Sequence, residues 1–229
     1  MARHRADRRG RAAHGLGAAQ DRLDLGVPGV RAVIVRAIRG FDRRSGIFSP
    51  HGARLYAAVS PRVLRPFYRR VVDDAARFVG ERDALIVDLG SGPGELTRMV
   101  AERLPRARMV GVEPAEVMRT MASARGGRFV DGRAEAIPLE DASVDLVVST
   151  LSAHHWSDMP AALRELDRVL RPGAEAWIYD LRFAAYGPED LARIGAEAGI
   201  EPVRLSRSIV PGRLVRPFAL IRLRATLAA

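Results

Sequence analysis

The sequence predicts an α/β fold with a doubly wound, mostly parallel sheet of seven strands, and three observations lead to it. Apolar runs of strand length alternate with helical segments from residue 84 onward, and such alternation implies right-handed crossovers between parallel strands. The run Val144–Val148 is almost continuously apolar, which is typical of a strand buried on both faces of a sheet. A glycine-rich turn joins the first run to a helical segment and lets backbone approach a ligand closely. The predicted fold is therefore Rossmann-like.

The predicted elements follow one another in order. Strands are predicted at Ala84–Leu89, Ala107–Val112, Arg128–Val130, Ser143–Ser149, Ala176–Asp180, Val203–Ser208 and Phe218–Arg224. Helices are predicted at Glu95–Leu104, Ala115–Ser123, Pro160–Leu170 and Pro188–Ala198. Arg171-Pro172-Gly173 is expected to end the third of these helices, and the last two strands to form an antiparallel hairpin at the sheet edge. The segment Tyr56–Val79 fits one or two helices, because Pro61 and Pro66 suit either interruptions or first turns.

Charge divides the chain into a basic extension, residues 1–44, and an α/β domain, residues 45–229. The net charge is +10 for the whole chain, of which residues 1–44 carry +7, residues 201–229 carry +5 and the part between them −2. Every basic residue other than histidine is arginine. Uniform use of arginine weakens an interpretation of the charge as a nucleic-acid signal.

Within the extension, Met1–Gln20 lacks an apolar period and is predicted to be disordered. Apolar residues from Val30 to Phe41 recur at helical spacing between arginines, which predicts a short amphipathic helix. That helix either packs on the domain or makes peripheral contact with an anionic membrane surface. No apolar run reaches the ~20 residues of a membrane span. The chain has no cysteine, which excludes disulfides and thiolate chemistry, and we expect a cytoplasmic location.

The spacing of glycines after the first strand indicates the type of ligand. A dinucleotide-binding turn places its third glycine where this chain has Glu95, a carboxylate that would repel a pyrophosphate. The chain instead reads Asp88-x-Gly90-x-Gly92-x-Gly94, which resembles the first motif of class I S-adenosylmethionine-dependent methyltransferases. Acids on both sides of the turn suit a cationic ligand.

Three further motifs follow in the order of that family. Glu113 ends the second strand, 19 residues after Gly94, where a carboxylate can accept both ribose hydroxyls. The segment 131–139 resembles the family's adenine-flanking segment, with Arg133 where an acid is usual; Asp131 or Glu135 could supply the acceptor. Residues 144–156 resemble the strand-four segment of small-molecule methyltransferases. With residues 168–174, which resemble the turn before strand five, they are similar to the branch that includes the ubiquinone and menaquinone biosynthesis methyltransferases. The resemblance implies S-adenosylmethionine as cofactor, S-adenosylhomocysteine as product, and these cofactor-binding residues: Asp88, Gly90, Ser91, Gly92, Gly94, Glu113, Pro114, Arg133, Ala134, Glu135 and Thr150.

Methyl transfer needs alignment, exclusion of water and sometimes a base. His154 and His155 are the candidate bases; adjacent residues are expected to point to opposite sides, and His154 is preferred. Tyr56 and Tyr68 either pack in the core or close over the cofactor. No metal site is expected. The resemblance implies a small, lipophilic acceptor with an oxygen, nitrogen or carbon nucleophile; the alternatives are an RNA methyltransferase and a non-catalytic protein with this fold. The segment Ser149–Ser152 lacks the proline-containing turn of amino-methylating nucleic-acid enzymes.

Overall fold

A computed structural model describes residues 49–182, 184–210 and 218–226. The strands are β1 (Ala84–Leu89), β2 (Ala107–Val112), β3 (Arg128–Val130), β4 (Val144–Thr150), β5 (Leu170–Leu181), β6 (Leu205–Ile209) and β7 (Phe218–Arg224). The helices are α1 (Pro50–Val79), α2 (Glu95–Arg103), α3 (Glu116–Ser123), α4 (Met159–Val169) and α5 (Pro188–Ala198). Short 3₁₀ turns cover Ala153–His155 and Pro202–Arg204.

The seven strands form one sheet in the order β3-β2-β1-β4-β5-β7-β6. Strands β1 to β5 are parallel to one another, and β7 runs antiparallel to both β5 and β6. The predicted α/β class, the parallel sheet and the antiparallel C-terminal hairpin are therefore confirmed. The strand order reverses at β1, because β2 and β3 lie on one side of it and β4 and β5 on the other. Sheets of this type bind ligands at the carboxyl ends of the strands beside such a reversal.

Helices cover both faces of the sheet. On one face, Leu163 and Leu166 of α4 pack in the cluster that contains Val87 and Val147. On the other face, Val71 of α1 belongs to the cluster that contains strand residues of β1, β4 and β5. Burial on both faces explains why β1 and β4 read as apolar runs rather than alternating patterns.

Helix α1 differs from its prediction. It begins at Pro50, capped by the Ser49 hydroxyl that accepts from the Gly52 amide at 3.1 Å, and it continues through Pro61 and Pro66 to Val79. Neither internal proline breaks the helix or begins a second one. Pro66 is on the exposed side, where water can satisfy the carbonyl that loses its amide partner. Burial of the C-terminal half of the helix outweighs this local cost.

Strand β5 also differs from its prediction, because it begins at Leu170, directly after α4. Leu170 pairs with Val144, and pairing resumes with Glu175 opposite Leu146. The Arg171-Pro172-Gly173 turn is therefore a bulge within the strand, with Gly173 at a φ of 79°. Strand β6 begins at Leu205 rather than Val203, since residues 202–204 form a 3₁₀ turn.

The predictions for residues 1–48, including the disordered start and the amphipathic helix, lie outside the described residues. No helix in the described part of the chain is long and apolar enough to cross a membrane.

Candidate active site

A cavity of about 640 Å³ opens at the carboxyl ends of the parallel strands. Its walls come from the turn after β1, the residues that follow β2 and β4, the end of β5 and the N-terminal half of α1. This volume lies within the usual range for small-molecule sites. Most of the predicted site residues line it: Gly90, Ser91, Gly92, Glu113, Pro114, Arg133, Ala134, Glu135, Thr150, His154 and His155.

The glycine turn needs its glycines for two different reasons. Gly90, Gly92 and Gly94 have φ values of 75°, 53° and 80°, all in the left-handed region. A Cβ on Gly90 would lie 2.0 Å from the Ser152 hydroxyl oxygen, so that glycine lets the turn pack against the residues after β4. A Cβ on Gly92 would meet no described atom within 4 Å. Gly92 therefore keeps one wall of the cavity open, whereas Gly94 packs beneath the turn against Phe129.

Glu113 ties the glycine turn to the next crossover. One carboxylate oxygen accepts from the Gly92 amide and the other from the Ala115 amide, each at 2.9 Å. The side chain is buried, and burial raises the pKa of its carboxyl above the ordinary value, while these hydrogen bonds oppose the rise. Each oxygen keeps a second lone pair for a ligand hydroxyl. Glu113 thus holds the turn in place and presents a carboxylate to the cavity.

Asp88 does not line the cavity, whereas Glu95, the acid on the other side of the glycine turn, does. It lies beneath the turn, where one carboxylate oxygen accepts from the Thr97 hydroxyl at 2.7 Å. Its other oxygen has no hydrogen-bond partner among the described residues. Burial raises the pKa of Asp88 to about 7, and the hydrogen bond from Thr97 opposes that rise. Asp88 therefore anchors the start of α2 to the end of β1.

The segment expected beside adenine presents Ala134 and Glu135 to the cavity, and the side chain of Arg133 is largely exposed. One oxygen of Glu135 accepts from the Ser157 amide and hydroxyl, so this residue links the segment to the start of α4. Burial alone would raise the pKa of Glu135, but these hydrogen bonds lower it below the ordinary value. Asp131, the other candidate acceptor, pairs with Arg119 and lies outside the cavity lining. Of the two acids, only Glu135 borders the cavity.

The two histidines share one side of the site, contrary to the expectation that they point apart. They lie in a 3₁₀ turn rather than a strand, and their ring centroids are 4.2 Å apart. His154 is buried, and its Nδ1 lies 2.9 Å from a carboxylate oxygen of Asp180. The His154 backbone amide also donates to Asp180 at 2.8 Å. A carboxylate at Nδ1 favours the tautomer that carries its proton there, so Nε2 becomes the basic nitrogen.

Several residues of the site are not evident from the sequence. Asp180 comes from the end of β5, 26 residues after His154, and no local motif connects the two. Ser60 and Leu64 of α1 also line the cavity, at helical spacing between Tyr56 and Tyr68, which were already candidates from the sequence. Tyr68 is buried and also lines the cavity. Its hydroxyl forms a hydrogen bond with Thr150, and burial raises the pKa of the phenol. No group of three or more metal-ligating side chains occurs in the described ranges.

Comparison with known proteins agrees with this geometry. Residues 87–178 match the family model described as a methyltransferase domain. The chain is 34% identical over 123 residues to a malonyl-(acyl-carrier protein) O-methyltransferase of Methylococcus capsulatus, covering 52% of this chain and 43% of that protein. It is 40% identical over 111 residues to the demethylmenaquinone methyltransferase of Thermus thermophilus, covering 46% and 49%. The chain therefore spans about half the length of the curated relatives it matches.

A solved structure from Methanococcus maripaludis, assigned to the S-adenosyl-L-methionine-dependent methyltransferases, superposes with a TM-score of 0.64 at 21% identity. The superposition covers 80% of this chain and 95% of that one. The matched residues 87–178 run from within β1 to within β5 and contain the glycine turn, Glu113 and the histidine turn. The resemblance predicted from the ordered motifs is confirmed: residues 87–178 match the methyltransferase-domain model, and the Rossmann-like fold is shared with the solved structure from Methanococcus maripaludis.

Proposed function

We propose that the protein is an S-adenosylmethionine-dependent methyltransferase that acts on a small, lipophilic acceptor. The observation that carries the proposal is the hydrogen bond from the Gly92 amide to the Glu113 carboxylate at the wall of an open cavity. It combines a carboxylate that can accept ribose hydroxyls with a backbone turn that a side chain would obstruct.

The residues present fit this cofactor. Among the described residues, the cavity is bordered by the carboxylates of Glu95, Glu113 and Glu135 and by one guanidinium, that of the largely exposed Arg133. That charge balance favours a ligand with an ammonium and a sulfonium over one with phosphates. Gly92 leaves space beside the turn, and the buried hydroxyl of Ser91 has no hydrogen-bond partner among the described residues.

Each part of the site has a role in this proposal. The turn of residues 90–94, including the Ser91 hydroxyl, holds the amino-acid part of the cofactor, and Glu113 binds the ribose. The segment Arg133–Glu135 borders the adenine, with Glu135 as the acceptor within reach of the cavity. The cofactor, when bound, supplies a methyl group on a positively charged sulfur. Asp88 acts indirectly, by supporting the turn through Thr97.

The acceptor lies between α1 and the histidine turn. Leu64 and Tyr68 of α1, Phe218 of β7 and Trp156 contribute mainly apolar surface there, which favours a lipophilic molecule. His154 removes the proton of the acceptor through Nε2, and Asp180 keeps the imidazole in the required tautomer. The identity of the nucleophilic atom is left open among oxygen, nitrogen and carbon. We keep the cytoplasm as the proposed location.

Calorimetry with S-adenosylhomocysteine tests the cofactor assignment. Replacement Glu113→Gln should weaken binding roughly 5- to 150-fold, since a charge-assisted bond to a buried carboxylate contributes ~1–3 kcal/mol. The matched control is Glu116→Gln, an exposed acid of the same type on α3, which should leave the affinity unchanged. Absence of heat and of a thermal shift with millimolar S-adenosylhomocysteine in the unmodified protein would contradict the proposal.

A second measurement separates an enzyme from a binding protein. Methyl-labelled S-adenosylmethionine is supplied with alkyl phenols, alkyl hydroquinones and fatty acids, which present oxygen and carbon nucleophiles on lipophilic bodies. Transfer of label to one of these classes, abolished by Glu113→Ala, supports a methyltransferase. Tight binding of the cofactor without transfer to any of them favours the non-catalytic alternative.

A further inference from the structure

The N-terminal half of α1 exposes an apolar stripe. Leu55, Val59 and Val63 are 61%, 50% and 70% exposed, and they are spaced four residues apart. Residues four apart lie nearly above one another on a helix, so the three form one line along its surface. Among the described residues, three of the four large hydrophobic side chains with the greatest exposure lie on this line. The stripe is a concentration of apolar surface on one element.

The stripe adjoins the cavity. The residue that follows each member of the line, Tyr56, Ser60 and Leu64, lines the cavity wall. Successive helical residues are about 100° apart. The helix therefore presents the stripe to solvent directly beside the face that borders the site.

The opposite flank of the stripe is strongly basic. Residues 50–72 contain five arginines and neither aspartate nor glutamate. Arg54, Arg65 and Arg69 are exposed, and helical geometry places them on the side of the stripe away from the cavity. The surface formed by the stripe and these three arginines is called the α1 surface below.

The charge of the α1 surface selects among possible occupants. Residues 1–44 carry a net charge of +7 and would meet like charge there, as would the same surface of a second copy. An anionic partner is complementary. Exposed aliphatic side chains in line with arginines match the boundary between anionic headgroups and acyl chains, and nucleic acid would leave the aliphatic side chains without an apolar partner.

We propose that the α1 surface docks the protein on an anionic lipid bilayer, with the stripe inserted at the headgroup boundary and the arginines on the headgroups. Docking in this orientation brings the α1 wall of the cavity to the bilayer surface, where lipophilic molecules are concentrated. The proposal does not depend on which reaction the cavity performs. It assigns the membrane contact to α1, a different segment from the basic helix predicted at residues 30–41.

Sedimentation with vesicles tests the proposal on the full chain. Vesicles of phosphatidylcholine and phosphatidylglycerol at 70:30, an approximate physiological anionic fraction, are compared with pure phosphatidylcholine. Binding is expected only to the anionic vesicles and should fall as salt rises. The pairs Leu55→Gln with Val63→Gln, and Arg65→Glu with Arg69→Glu, should each weaken binding roughly tenfold.

Two matched controls keep the test specific. Val203→Gln removes an aliphatic side chain that is more exposed than those of the stripe, at 81%, from the 3₁₀ turn before β6. Arg103→Glu with Arg108→Glu reverses two exposed charges near the junction of α2 and β2. Both should bind as the unmodified protein does. Thermal unfolding of every variant shows whether it is folded.

Three outcomes overturn the proposal. Equal binding of both α1 pairs and the unmodified protein would place the contact elsewhere in the chain, including residues 1–48. Conversion of a dimer to a monomer by the Leu55 and Val63 changes, with vesicle binding unaltered, would make the stripe a contact between copies. Salt-dependent binding to a 20-nucleotide RNA, lost with the Arg65 and Arg69 changes and accompanied by no vesicle binding, would make the surface a nucleic-acid site.

Discussion

At the scale of single residues, the proposed base His154 is held by Asp180. Asp180 is buried, and its carboxylate contacts both the imidazole and the backbone amide of His154. It also accepts from the amide of Leu181 at 2.7 Å. These contacts fix the ring orientation and favour the tautomer protonated at Nδ1, so in the proposed reaction Asp180 is a positioning residue.

Replacement Asp180→Asn tests that role. The amide can donate to Nδ1 and so favours the wrong tautomer, and kcat should fall by about 10- to 100-fold with little change in KM. The pH dependence of kcat should change as well, which a purely structural residue would not cause. In a His154→Gln background the same replacement should have no further effect. Additive losses in the double variant, or weaker binding of S-adenosylhomocysteine, would assign Asp180 to general stability.

The sequence predicts some of these residues and not others. His154 follows a buried strand whose carboxyl end faces the ligand crevice, so its position could be inferred from local pattern. Asp180 lies 26 residues later, and the contact depends on the side-by-side pairing of β4 and β5. The expectation that His154 and His155 point apart was wrong because it assumed a strand period of two. In a 3₁₀ turn consecutive side chains are about 120° apart around the axis, rather than on opposite faces as in a strand.

At the scale of elements, two glycines with positive φ lie at different places in the fold, one inside the site and one outside it. Gly80 and Gly92 both have positive φ, at 67° and 53°, and a Cβ on either meets no described atom within 4 Å. Gly92 lines the cavity and Gly80 ends α1 away from it. They therefore form a matched pair for asking what a side chain does inside the site.

Replacement Gly92→Val should abolish binding of S-adenosylhomocysteine, because the branched side chain extends into the cavity. Backbone strain of ~1–3 kcal/mol is expected for each of Gly92→Val and Gly80→Val, because both glycines have positive φ. Calorimetry and thermal unfolding of the two variants separate strain from obstruction. If Gly80→Val lost the ligand to the same degree, or Gly92→Val kept it, the turn would not be the binding loop.

Most element boundaries follow from the sequence, and two differences have physical causes. Pro61 and Pro66 are poor helix residues, yet α1 passes through both since its C-terminal half is anchored in the core. The Arg171-Pro172-Gly173 turn has the composition of a helix terminus, and it becomes a bulge because Leu170 already pairs with Val144. In both cases tertiary contacts between distant residues override local preference, and such contacts are not visible in a local pattern.

At the scale of the whole molecule, Asp88 links stability to pH. Burial raises the pKa of its carboxyl from 3.8 to about 7. Between those values the folded chain retains a proton that the unfolded chain releases, so the free energy of unfolding falls as pH rises. The stability contributed by the protonated form is complete below pH ~4 and lost through pH ~7.

Urea unfolding of the unmodified protein and of Asp88→Asn checks this sign. Asparagine cannot ionise and can still accept from Thr97, so the variant should lose less stability between pH 5 and pH 8. The difference between the two proteins is expected to change by about 2–4 kcal/mol across that interval. Curves that remain parallel would show that Asp88 is already ionised in the folded state at pH 5.

The division of α1 into two halves has a consequence for how the shape of the cavity could be altered. Val71, Val72 and Ala75 secure the distal half against the sheet, whereas Tyr56, Ser60 and Leu64 of the proximal half line the cavity. The proximal half therefore forms one wall of the cavity. If the proposed function holds, substitutions at these three positions would change the acceptor side of the cavity and leave the contacts between the distal half and the sheet in place, which makes them the first choice for altering the accepted compound.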